Sequence, residues 1–360
     1  FAFILLIASI ILTLPVCNYK EISFRDALFT ATSGLTTTGF TKGPLVEQFN
    51  FGGQLILAIL MEIGAMGFII FVSYFWSIKN KKIKMSDILV INDNISSDSY
   101  GQIKEHSLFI GKLMLEVQTV GILLLSIKFI PLMGFFKGIW YSIFHTISAF
   151  SNTGFDLFNG HSLKIFANDI YIQIVLIILM ILGSIGILVI EDLKKNRKGK
   201  LSKLKLQTKI ILTYSIGLLL FPMIVMKILE PNISILNSLF MSATSRSTGF
   251  SVVDLASFTF ESKFILIILM FIGGSPTSTS GGVKIVTVAI LISTIIATLK
   301  GKNETVMFWK QIPNSSIRRA FTIFTLFALI IVIACTVFYH YNPINLLNIV
   351  FESVSAISNT

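Results

Sequence analysis

Charge is scarce in this sequence of 360 residues: Asp, Glu, Lys and Arg make up 13% of it, against the roughly 25% usual in globular domains. Residues that build metal and redox centres are scarce too, with two cysteines and four histidines in all. Cys17 and Cys335 lie far apart and Cys335 sits inside an apolar run, so both read as small packing residues rather than a disulfide or metal pair. His145 and His161 lack the spacing of a ligand pair, which leaves them surface or core roles. No His, Cys or acid cluster falls within an apolar span, which removes the basis for a membrane enzyme. No cofactor is expected in the chain. Nor is there a basic leader or a small-residue cleavage site near the start. Residues 1–17 therefore read as a membrane helix short of its beginning, not as a signal peptide.

What is abundant is apolar: 54% of residues are hydrophobic, and 32 are Phe. Uncharged runs such as Ile170–Ile190 and Phe321–Tyr339 reach the roughly 20 residues that cross a bilayer. The fold class expected is an all-α integral membrane protein. The net charge of +11 would suit nucleic acid if it were spread or striped, but eighteen of the 29 basic residues fall in three connectors. Lys79, Lys81, Lys82, Lys84 and Lys104 lie in 79–108. Lys194, Lys195, Arg197, Lys198, Lys200, Lys203, Lys205 and Lys209 lie in 191–209, and Lys300, Lys302, Lys310, Arg318 and Arg319 in 300–319. The positive-inside rule puts these loops in the cytoplasm. A basic docking surface for a soluble partner is compatible with that; nucleic acid is not needed.

One unit is written four times. "TSGLTTTGF" occupies 32–40, "ISAFSNTGF" 147–155, "SATSRSTGF" 242–250 and "VSAISNT" 354–360. Each follows an apolar helix, at about 1–17, 109–130, 208–228 and 319–339, and a short amphipathic stretch, at about 23–33, 138–148, 232–244 and 343–356. A second apolar helix comes next in three units, at about 52–78, 169–190 and 262–299. The repeats are thus 1–78, 79–190, 191–299 and 300–360, the last cut before its filter glycine and second helix. The amphipathic stretches are too short to span and are bracketed by Pro131, Gly138, Pro231 and Pro343, so they read as half-crossing helices. Irregular backbone at membrane depth must be buried in protein or line water. Four such segments around one axis make a pore, with filter loops on the extracellular side.

The letters after each short helix carry the chemistry: Thr36-Thr37-Thr38-Gly39, Ser151-Asn152-Thr153-Gly154, Arg246-Ser247-Thr248-Gly249 and Ser358-Asn359-Thr360. A cation shedding water needs a ring of oxygens, and backbone carbonyls with hydroxyls supply one. Glycine lets the backbone turn those carbonyls inward. A lone Thr-Gly-Phe is an ordinary turn; the repetition is what points to a filter. The third repeat adds "FIGGSPTSTSGGVK" at 271–284, combining Gly273, Gly274, Pro276, Gly281 and Gly282 with the hydroxyls of Ser275, Thr277, Ser278, Thr279 and Ser280. That density of Gly and Pro interrupts a helix, and the segment reads as a gate loop below the filter. A close-packing small-residue face is the bland alternative. Among charges inside apolar helices, Lys284 is placed to tether this loop and Glu62 to bond a neighbouring helix. Arg246 is expected to point away from the ion and bond helix-end carbonyls.

Four units of helix, pore helix, filter and helix resemble the Ktr/Trk/HKT superfamily of potassium transporters. The segment "MFIGGSPTSTSGGVKIVTVAI" (270–290) resembles its third-repeat signature, and "SRSTGF" (245–250) that repeat's filter. The uninterrupted succession of repeats is nearest to the bacterial Ktr membrane subunit. The resemblance implies a homodimeric subunit in a bacterial plasma membrane that takes up potassium, gated by the third-repeat loop. It also implies a cytoplasmic nucleotide-binding regulatory subunit of the KtrA/TrkA type. Gly39, where some sodium-selective relatives carry serine, favours potassium; "MEIGAMGF" (61–68) has Glu62 where relatives commonly have Gln. The alternatives are sodium translocation or sodium-coupled symport, and, from another class, a broken-helix secondary transporter of an organic solute. The last predicts paired broken helices in inverted halves, whereas the sequence reads as one broken helix in four same-direction repeats.

Overall fold

The computed structural model describes residues 2–67, 100–159, 162–196, 203–341 and 345–360, with side chains placed from 108 onward in the helix beginning at 100. Outside the described residues lie the expected helix 52–78 beyond 67, the side chain of Lys104, and Lys79, Lys81, Lys82, Lys84, Arg197, Lys198, Lys200, His161 and Pro343. The chain forms two compact units, Phe1–Gly183 and Ser184–Thr360.

In the first unit, α1 spans Ala2–Thr13, α2 Phe24–Leu35, the single turn α3 Leu45–Gln48, α4 Phe51–Met66, α5 Tyr100–Met133, α6 Phe135–Phe150 and α7 Ile170–Ile185. The second unit takes the last residues of α7 and continues with α8 (Ile187–Lys195), α9 (Leu206–Leu229), α10 (Ile235–Thr244), α11 (Phe260–Phe271) and α12 (Ile285–Leu299). A hairpin of β1 (Val306–Met307) and β2 (Lys310–Gln311) follows, then α13 (Asn314–Tyr341) and α14 (Leu346–Ser358). Among the described residues, Leu108–Met133, Leu206–Leu229 and Asn314–Tyr341 are each long and apolar enough to cross a membrane, and α7 with α8 forms one bent candidate. Ala320 is the buried side chain of α13; Ile317, Phe324 and Ile331 pack partly against neighbouring helices, and much of the remaining apolar surface is exposed.

Helix starts follow from local chemistry. Ser23 Oγ accepts the Asp26 N–H at 3.2 Å at the head of α2, Ser234 Oγ the Asn237 N–H at 3.0 Å at α10, and Asn345 Oδ1 the Leu347 N–H at 3.0 Å at α14. These caps satisfy N–H groups that no helical carbonyl reaches. The short helices α2, α6, α10 and α14 bury mainly small and hydroxyl residues, for example Ala27, Thr30, Ala31, Ser33 and Gly34 in α2. Small side chains let neighbouring backbones approach closely.

Two readings of the sequence need correcting. The turn before α6 is not bracketed by Pro131 and Gly138. Pro131 falls inside α5, and the chain turns at Gly134, whose φ of +83° suits glycine. Gly138 lies inside α6, where a Cβ would sit 2.6 Å from the Ile130 Cα and 2.7 Å from the Phe129 carbonyl oxygen; it is a close-contact residue. The second correction concerns the breaks. The third repeat's helix does break, between α11 and α12, but so does the second repeat's, at Gly186 (φ +88°), where α7 and α8 meet with a bend of 91°. In the first repeat α4 ends at Met66, on Gly67 with φ +71°. The sequences around these sites align: Ile59-Leu60-Met61 precedes Gly64, Ile178-Leu179-Met180 precedes Gly183, and Ile268-Leu269-Met270 precedes Gly273, each glycine three residues after its Met; the first two helices end just past that glycine and the third just before it. Among the described residues the interruption is therefore shared by the second and third repeats and is not confined to one helix.

Candidate functional site

The short helices α2 and α6 end in turns built the same way. In the first unit Gly39 and Gly154 have φ of +87° and +80°. Two residues earlier, Thr37 and Asn152 lie in the left-handed region at +55° and +54°. The Thr38 N–H reaches back to the Ser33 carbonyl at 2.8 Å and the Thr153 N–H to the Ser148 carbonyl at 2.9 Å, closing the helix ends. The hydroxyls pair within each turn, Thr36 with Thr38 and Ser151 with Thr153, both at 2.7 Å. The turns lie against each other: a Cβ on Gly39 would run into the Thr153 carbonyl oxygen. A cavity of about 450 Å³ opens over them, lined by residues that include Gly39, Thr41, Lys42, Gly154, Phe155 and Asp156.

The extended segment leaving the second turn is held from behind by one face of α6. Tyr141 Oη donates to the Leu157 carbonyl at 3.0 Å, His145 Nε2 accepts the Leu157 N–H at 3.3 Å, and Ser148 Oγ donates to the Phe155 carbonyl at 2.7 Å. Spacings of four and three residues put these side chains on one helical face. His145 Nδ1 meets the Tyr141 carbonyl at 2.8 Å. With an acceptor facing one ring nitrogen and a donor facing the other, the ring is the neutral Nδ1–H tautomer. Phe129 and Phe158 enclose it, with ring centroids 5.7 and 4.6 Å away. Nothing in the sequence beyond the polar periodicity of a short helix singles out Tyr141, Ser148 or this role of His145. Behind the turns sit Gly64 and Gly183, whose missing side chains make room for the Leu35 and Phe150 carbonyls at the ends of α2 and α6.

At the outer edge of the first turn, Lys42 binds the Asp26 carboxylate at 2.9 Å. Hydrogen bonds from Lys42 and Ser23 hold that carboxyl below its usual range. Glu62 and Gln118 bond between α4 and α5, Gln118 Nε2 donating to Glu62 Oε1 at 2.5 Å.

In the second unit Gly249 has φ of +83° and lies by the fourth turn, where a Cβ would be 3.0 Å from the Thr360 carbonyl carbon. Asn359 takes the left-handed position at +55°, and the Thr360 N–H reaches the Ser355 carbonyl at 3.0 Å, as in the first two turns. The third turn differs. The Thr248 and Gly249 N–H groups both reach the Thr244 carbonyl, at 2.8 and 3.2 Å, and Ser247 has no positive φ. Arg246 occupies the place of the hydroxyls Thr36, Ser151 and Ser358. It is 4% exposed, and among the described residues its Nε and Nη2 have no hydrogen-bond partner, so these two nitrogens do not make the expected bonds to helix-end carbonyls.

The segment between α11 and α12 closes on itself. The Gly273 N–H bonds the Val283 carbonyl, Val283 N–H the Phe271 carbonyl and Ile285 N–H the Gly274 carbonyl, each at 3.0 Å. Lys284 Nζ donates to the Ser280 carbonyl. Ser275 and Ser280 are buried, and a Cβ on Gly281 would run into the Ser358 carbonyl of the fourth turn.

Membrane-length helices combined with short helices that end on glycine turns define an all-helical, multi-pass membrane protein. The chain belongs to the TrkH family of cation transport proteins, which matches residues 3–360; it is a transporter, not an enzyme. Among its relatives, the potassium/sodium uptake protein NtpJ of Enterococcus hirae is 34% identical over 90% of this chain and 74% of its own length. Ktr system potassium uptake protein B of Bacillus subtilis is 31% identical over 98% of this chain and 81% of its own. The crystal structure of the potassium transporter TrkH from Vibrio parahaemolyticus shares the fold, with a TM-score of 0.73 over 93% of this chain and 69% of that one, at 18% identity.

Proposed function

We propose that this chain takes up potassium across a bacterial plasma membrane, with backbone carbonyls of its four repeated turns as the ion's ligands. One observation carries the reading. Three glycines at the same place in the repeat share one left-handed conformation, and the hydroxyls of the first two turns are engaged with each other. Carbonyls are what such turns have left to offer a dehydrated cation. The names of the Enterococcus and Bacillus relatives support potassium, and the first of them supports sodium as an alternative or coupled ion. The membrane potential drives entry. The segment 273–284 is the gate, each repeat forms one unit of a four-part pathway, the filter loops face outward, and the basic connectors face the cytoplasm. There they meet a nucleotide-binding regulatory subunit of the KtrA/TrkA type, and the membrane subunit itself is a homodimer surrounded by lipid.

An organic-solute transporter built on inverted broken helices fits less well, because the breaks of the second and third repeats fall in successive units, near the same aligned glycine, and not in a pair of inverted halves. The test is growth of a potassium-uptake-deficient bacterium at low potassium with the full-length protein, repeated with Gly154→Ser. Rescue by the parent and its loss in the variant are expected. Failure of the parent to rescue while present in the membrane sinks the reading.

A further inference from the structure

The break at Gly186 frees carbonyls that a continuous helix would bond, since the last turn of any helix has no N–H groups ahead of it. A segment 90 residues away supplies two of the missing donors. The Ser275 N–H bonds the Ser184 carbonyl at 3.0 Å, and Ser275 Oγ bonds the Ile185 carbonyl. A third bond runs the other way, from the Ile187 N–H at the head of α8 to the Thr277 carbonyl at 3.4 Å. The fit depends on glycines. A Cβ on Gly274 would be 2.7 Å from the Ser184 carbonyl, and one on Gly186 would be 2.8 Å from the Pro276 carbonyl and run into Ser275 Oγ. The segment thus touches the α7–α8 elbow at one end and, through Gly281, the fourth turn at the other.

The elbow is also tied away from the segment. Asp192, 4% exposed in α8, accepts the Lys205 N–H at 3.0 Å and Asn196 Nδ2 at 2.9 Å. Lys205 precedes α9, so the head of α9 is tied back to α8.

We propose that Ser275 is the latch of the gate: it caps the broken end of α7 and so holds the segment 273–284 in place, making the α7–α8 elbow a positioning element for transport. The inference rests on the reading of that segment as a gate. Releasing the latch takes the Ser275 N–H and hydroxyl away from the Ser184 and Ile185 carbonyls, and water taking their place couples opening to hydration of the pathway. A pull on the connector reaches the latch through α8, which has Asp192 on the connector side and Ile187 on the other.

The test uses the full-length protein with its cytoplasmic partner in liposomes, read by rubidium uptake. Ser275→Ala removes one bond of the latch and is expected to raise resting uptake roughly two- to tenfold. A misfolded variant lowers uptake, so the direction separates latch from scaffold. The pair Gly186→Cys and Ser275→Cys, in a background without Cys17 and Cys335, places Cβ atoms 3.4 Å apart, close to the roughly 3.5–4.5 Å of a disulfide. Oxidation is expected to cut uptake at least about tenfold, and reduction to restore it. Deleting Thr277–Ser280 probes the gate itself. If the deletion raises uptake while Ser275→Ala and the oxidised pair leave it unchanged, the latch is wrong and the gate stands. If none of the three changes uptake, both fall.

Discussion

Replacing Gly39 by alanine isolates what the glycine turns contribute. At φ +87° an L residue is strained, by about 1–2 kcal/mol in the left-handed region. The new Cβ would also run into the Thr153 carbonyl oxygen of the neighbouring turn. That atom belongs to the backbone, so the collision is relieved only by moving a carbonyl that the ion would use. Together the effects are of the order of 1–3 kcal/mol, which as a loss of ion binding is roughly 5- to 150-fold. Gly134→Ala is the control. Its φ of +83° imposes similar backbone strain, but nothing lies within 4 Å of its Cβ. The assay is rubidium uptake against concentration at matched amounts of membrane protein. Gly39→Ala should raise the half-saturating concentration within that range, whereas Gly134→Ala should lower thermal stability and leave half-saturation alone. An unshifted Gly39→Ala curve, or an equal shift from Gly134→Ala, refutes the reasoning.

Thr37 is a β-branched residue at φ +55°, where the second and fourth turns have Asn152 and Asn359; asparagine tolerates that region and threonine does not. Thr37→Asn should raise the thermal midpoint in detergent, by a gain of up to about 1 kcal/mol, and a lowered midpoint would count against the strain. Asp169, at the head of α7, is pushed up by burial, but the Ile172 N–H and Lys128 outweigh this and hold it below the usual carboxylate range. With a lowered folded-state value, its contribution is complete above the unfolded value of about 3.9 and is lost as pH falls through the folded one. The stability difference between parent and Asp169→Asn should therefore be constant from neutral pH down to about pH 5 and shrink below about pH 4. A difference unchanged at low pH would exclude that linkage.

The glycine turns were legible because four copies of one short string, each after a short amphipathic stretch, leave little else for them to be. The spans were legible from hydropathy, and α9 and α13 lie close to where the apolar runs put them. The supports were not. Tyr141, His145 and Ser148 bond the chain that leaves the second turn, yet in sequence they are polar residues of a short helix and nothing more. Arg246 was visible as an oddity, but its burial without hydrogen bonds to Nε and Nη2 could not be read from its neighbours.

The missed break at Gly186 shows why. Ile178–Ile190 carries no charge and two isolated glycines, and hydropathy treats glycine in an apolar run as neutral. Whether such a glycine ends the helix depends on what can bond the carbonyls it frees, and at Gly186 those donors come from Ser275. Alignment of the repeats carries the missing information. Gly64, Gly183 and Gly273 follow the same Ile-Leu-Met, and in the first two repeats the helix stops just before the glycine three residues on. In the third repeat that place is Pro276, and the helix stops earlier, at Phe271, giving way to the segment that reaches back to the second repeat's elbow. Within one repeat the break looks like a defect. Across the repeats, the third supplies in Ser275 the donors that the second lacks, so the two breaks form one structure and are expected to move together.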